Sequence, residues 1–253
     1  MTASEIAAKL ETILRLNTRP TAVTFYKDRK DLPRHPGNMK QNFCQLVSMA
    51  RYAGREGSSV PDKMICAMGA ACLGLIATPE VFTSGKAAVG VYSKDEKAAK
   101  NFMANTFKVG DNGKQYDAVL VESLESAEKD PDVVVIYCNP AQVMRLIHAC
   151  AYETGGKVTA DTVAEAAMCS SVGYAMATQK PVVGFPCAGD RIFGGTQNEE
   201  VVFAAPYAMF EKTLINALEK TAEGGFSVFP IPPNMYWTPV MPDSYTIQPE
   251  YLK

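Results

Sequence analysis

Seven cysteines are the residues best suited to chemistry in this chain: Cys44, Cys66, Cys72, Cys138, Cys150, Cys169 and Cys187. An odd count with no secretion signal argues against a disulfide framework. Buried apolar thiols, metal ligands and reactive thiols are what remain. The question is sharpest at "PVVGFPCAGDR" (Pro181–Arg191), where an apolar run ends in Cys187 and Gly189, Asp190 and Arg191 follow at once.

Other chemistries find no support. The sequence has no phosphate-binding G-x-x-x-x-G-K-[ST], no strand-linked G-x-G-x-x-G and no G-x-S-x-G elbow. With His35 and His148 the only histidines, histidine-rich metal sites are excluded. Each reads as a solvated or capped structural residue. Net charge is −2 and the pI about 5.8, so no basic nucleic-acid surface is expected. The run Met64–Ala77 is too short to span a bilayer, and the N-terminus carries acids through its apolar positions. A cytoplasmic protein without membrane or nucleic-acid partners is the expectation.

The elements that must carry the thiols follow from periodicity. Helices are expected from Ser4, over "FCQLVSMARYA", within Met64–Ala77, over "KDEKAAKNFMANTF", after Asn139-Pro140, from about Thr159 to Ala177, and over "YAMFEKTLINALEK". Strands are expected at Thr21–Tyr26 and Ala87–Tyr92, and at 117–122, 132–137, 181–186 and 200–205. This alternation predicts an α/β or α+β layered single domain with a central mixed sheet and flanking helices, over residues 1–223. Residues 224–253 change character. Their prolines and aromatics predict a strap over the domain, or an arm onto a second copy in a homo-oligomer.

Placing the thiols on these elements sorts them. Cys150 shares the apolar stripe of Val143, Leu146 and Ile147, so it reads as core. Cys66 and Cys72, six apart, would point about 120° apart on one helix and cannot share an ion. Cys72 is then the filler, and Cys138 at a strand end is open to either reading. Cys44 starts a helix, whose dipole favours its thiolate. Cys169 sits among small residues and Cys187 in a turn. Cys44, Cys66, Cys169 and Cys187 are the four least explained by packing. No C-x-x-C occurs, so spacing alone signals a metal only weakly.

"FCQLVSMAR", "ICAMGAACLGL", "PDVVVIYCNPAQVMRLIHA", "AAMCSS" and "CAGDR" occur in this order. Together they resemble a prokaryotic family known as domain of unknown function 169, over residues 10–222. The family's cysteine positions match Cys44, Cys66, Cys169 and Cys187. Its turn reads C-x-G-x-R, and Asp190 fills the fourth place here. The resemblance implies a cysteine-centred site and no particular reaction.

Two readings follow. In the first, the four cysteines ligate an iron–sulfur cluster, of 4Fe–4S type, for redox or Lewis-acid chemistry on a small molecule, with an electron-transfer partner. In the second, a metal-free binder or thiol enzyme uses Cys187, with Arg191 and Arg51 holding an anion. A structural zinc site would prefer paired C-x₂₋₄-C knuckles, absent here.

Overall fold

The computed structural model describes residues 1–33, 39–161, 163–223 and 247–252. His35 and the proline-rich stretch 224–246, with the strap or arm expected of it, lie outside them.

The strands are β1 (Thr21–Tyr26), β2 (Gly57–Ser59), β3 (Ala118–Ser123), β4 (Val133–Cys138), β5 (Thr159–Asp161), β6 (Val182–Gly184) and β7 (Val201–Pro206). They form one sheet in the order β2-β3-β1-β4-β7-β6-β5. Every pairing is antiparallel except β5 with β6. The sheet is therefore mixed and the fold α+β, and the four valine-rich segments expected in one sheet all lie in it.

The main helices are α1 (Ala3–Leu14), α2 (Phe43–Ala53), α3 (Ala67–Cys72), α4 (Glu80–Thr83), α5 (Glu96–Asn105), α6 (Pro140–Tyr152), α7 (Ala167–Thr178) and α8 (Ala188–Gly194). A further helix, α9, runs over 207–223 and has a π-helical stretch at Phe210–Leu214. None is long and apolar enough to cross a membrane.

Side-chain alternation along β4 divides the molecule. Val134, Ile136 and Cys138 face a core built with α1, α6 and α9, through residues such as Leu10, Leu146 and Phe210. Val133, Val135 and Tyr137 face the opposite core, built with α2, α3 and α7 through Phe43, Leu73 and Val172. All residues of β4 and β7 are buried, as expected of strands covered on both faces. Burying one large side chain such as Phe43 contributes about 2–3 kcal/mol.

Three local readings differ. Ala87–Tyr92 is no strand: Lys86–Ala88 is a single 3-10 turn between Gly85 (φ +85°) and Gly90 (φ +74°). Two left-handed glycines turn the chain too tightly for a ladder. Within Met64–Ala77 only α3 is helical, since Gly74 (φ +69°) ends it. The helix expected from Thr159 begins only at Ala167, because Thr159–Asp161 is recruited as edge strand β5. Tertiary pairing overrides local propensity there.

Candidate functional site: a cysteine-lined cavity

Cys44, Cys66, Cys169 and Cys187 all line one cavity of about 140 Å³ on the α2/α3/α7 side of the sheet. Each sits at the start of a different helix. Cys44 is the second residue of α2, Cys66 the N-cap of α3, Cys169 the third residue of α7, and Cys187 the N-cap of α8. Four helix N-termini, each with unpaired amides and a positive dipole end, therefore meet at the thiols. The Gly69 N–H donates to Cys66 Sγ at 3.3 Å, while the Cys44 thiol reaches the Gly189 carbonyl at 3.7 Å.

Small residues allow this approach. A β-carbon on Gly69 would lie 3.3 Å from Cys169 Sγ and 3.6 Å from Cys66 Sγ, so both sulfurs crowd one glycine. A β-carbon on Gly173 would lie 2.2 Å from the Cys72 carbonyl oxygen, which brings α7 hard against α3. At Gly194 it would lie 3.3 Å from the β-carbon of Cys44, seating α8 on the first turn of α2. Ala166, just before α7, is left-handed at φ +50°. That conformation costs an alanine about 1–2 kcal/mol, and the strain sits on the cavity wall.

The rest of the lining is apolar (Phe43, Met68, Met168 and Phe193 among it), apart from Asn42 and the acidic Glu165 and Asp190; no basic side chain is among the described lining residues. Burial pushes the Cys44 thiol up to about 12, helped by Asp190, Cys187 and Cys66. The helix dipole was expected to favour its thiolate, but desolvation outweighs it. Burial and the neighbouring thiols likewise raise Cys169. Burial also raises the Glu165 carboxyl, against a smaller pull from Lys108. Glu165 Oε2 is enclosed without a hydrogen-bond partner.

Behind the cavity runs a buried polar chain. Arg51, only 1% exposed, pairs with Glu200 at 2.9 Å and lies 3.8 Å above the Tyr137 ring. The Tyr137 hydroxyl donates to both carboxylate oxygens of Asp190 at 2.8 Å. Burial raises Asp190 to about 6 despite that bond and the pull of Arg51. The chain ties α2, β4 and α8 together, and so fixes the helices that carry Cys44 and Cys187. Arg51, expected to take up an external anion, holds a carboxylate of its own chain. Arg191 donates to the Gln197 carbonyl at 3.0 Å. Neither arginine lines the cavity.

The remaining cysteines lie elsewhere. Cys72 is fully buried with Met68, Ala99 and Met103, its sulfur 3.5 Å from Ser170 Oγ. Cys138 and Cys150 belong to the core on the opposite face of the sheet. His148 is exposed on α6, which packs on that opposite face. Sequence reasoning missed Glu165, Asp190 and Tyr137. The available signal was polar residues bordering apolar segments at cysteine-bearing helix starts.

A layered α+β domain with thiols gathered at helix starts is the class that fold and site define. The chain belongs to the family of domain of unknown function 169, described as "Uncharacterised ArCR", whose pattern matches residues 9–216. It is similar to the uncharacterized protein MJ0308 of Methanocaldococcus jannaschii, with 29% identity over 220 residues, covering 85% of this chain and 93% of that one. No solved structure matches.

Proposed function

We propose that the chain binds an iron–sulfur cluster, of 4Fe–4S type, on Cys44, Cys66, Cys169 and Cys187, for redox or Lewis-acid chemistry on a small molecule. The observation that carries this reading is the shared cavity, with four thiols in its wall and no cationic side chain among its described lining residues. Crowded thiols raise one another, as at Cys44 and Cys169, and cannot ionise together without a positive charge among them. Iron would supply that charge. The converging helix dipoles and the amide on Cys66 Sγ would favour the same ionised state.

Among the described residues no group of three or more His, Cys, Asp or Glu side chains could hold a metal ion as placed. Thiolates around one tetrahedral ion stand roughly 4 Å apart. A cubane cluster interposes its own iron and sulfide, so its thiolates stand wider. The thiol-enzyme alternative needs a base or cation beside Cys187; Arg191 is turned to Gln197, which leaves the cavity carboxyls Asp190 and Glu165 as its candidates. Cys66 is exposed, which supports electron or substrate access on that side.

Anaerobic reconstitution with ferrous iron and sulfide tests the reading. A brown protein with about four irons per chain is expected. A colourless, iron-free product would overturn it and leave thiol chemistry as the better account.

A further inference from the structure

A second concavity adjoins the cysteine cavity. It is an open cleft of about 750 Å³, within the range of small-molecule sites. Three aromatic side chains line it, Phe102, Phe107 and Tyr174, with the hydrogen-bonding groups of Ser93, Asn101 and Asn105. No charged residue is among its described lining residues. The Phe107 and Tyr174 rings meet edge to face, with centroids 5.4 Å apart at 73°. Asn105 Nδ2 donates to the Asn101 carbonyl at 2.9 Å, which holds that amide in place.

One short segment separates the two concavities. Val163 and Ala164 line the cleft, while Glu165 and Ala166 line the cysteine cavity. An aromatic pair also joins them. Phe102, in the cleft, stacks on Tyr92 at 5.1 Å and 9°. Burial raises the Tyr92 phenol, with smaller contributions from Glu165, Cys187 and Cys66.

The lining selects a ligand class. An ionic ligand would find no counter-charge among the described lining residues. An aliphatic one would leave the asparagine amides unmatched wherever it covered them. Ring faces offer stacking, and carboxamides match ring nitrogens and ring carbonyls. We infer that this cleft binds a neutral, planar heteroaromatic molecule of two or three fused rings, held beside the cysteine cavity.

Titration calorimetry of the full-length chain with lumiflavin (three fused rings) and adenine (two) tests this. Saturable binding of at least one is expected. Asn101→Asp puts an anion into the lining, and Tyr174→Ala removes a ring face; each should weaken binding about tenfold or more. Asn101 is exposed, so its variant should fold with an unchanged Tm. Cys187→Ser should bind the ring as the parent does, so failure of the cluster reading and failure of this one are separable. No saturable binding of either ring, affinity unchanged in both cleft variants, or binding lost in Cys187→Ser would each overturn the inference.

Discussion

Single side chains divide into those that face the cavity and those that hold it. Cys187→Ser should lower iron retention after reconstitution, because it removes a thiol from the wall. Cys150→Ala, on the far face of the sheet, should leave iron content unchanged; equal losses in both would show that iron binds elsewhere. Arg51→Met is a different kind of change. It strands the Glu200 carboxylate, whose side chain is 8% exposed, without its partner. Breaking such a pair costs about 3–5 kcal/mol, readable as a lower urea midpoint. The Arg51→Met/Glu200→Gln double variant should recover part of that loss, since the Glu200 charge is then gone, while Asp190 still lacks the pull of Arg51. These residues also mark what the sequence could disclose. Cys44, Cys66, Cys169 and Cys187 were legible because no apolar stripe explained them. The partner of Arg51 was not, because Glu200 lies 149 positions away and nothing local pairs them.

Elements were legible where local signals agreed. Asn139 at the cap and Pro140 in the first turn place the start of α6, and the structure has both, with Gln142 closing a capping box besides. The valine-rich strands were equally plain. Order in the sheet was not, since β1 runs between β3 and β4, a choice made by packing and not by neighbouring sequence. Nor was the contact between α3 and α7 visible. It depends on Gly173 meeting a carbonyl oxygen. Gly173→Ala should therefore force α7 away from α3, at about 1–3 kcal/mol or more. It should also lower iron retention, because α3 follows Cys66 and α7 carries Cys169. A variant as stable as the parent in urea would show that the two helices have room to spare.

At the scale of the whole molecule, one acidic group sets a pH dependence remote from the cysteines. Burial, then Glu56 and Glu128, raise Glu122 from its ordinary 4.5 to about 7. Between those values the folded chain keeps a proton that the unfolded chain has released. Stability from this group should therefore be greatest below about pH 4.5 and fall as pH climbs towards 7. Glu122→Gln should flatten that fall in urea titrations at pH 5 and pH 7; an unaltered slope would assign it to other groups. The cysteine arrangement has a consequence for the order of events after synthesis. Cys44 and Cys187 come together only once α2 and α8 have docked. In an unfolded chain these two sulfurs are far apart in sequence and form no local pair. If the proposed cluster is bound, maturation would run from shape to cargo: the empty fold forms first and is loaded afterwards, the reverse of small zinc domains, which collapse around their ion. On that reading a chelator should strip the protein without unfolding it, and a donor would approach on the side of the exposed Cys66 after folding.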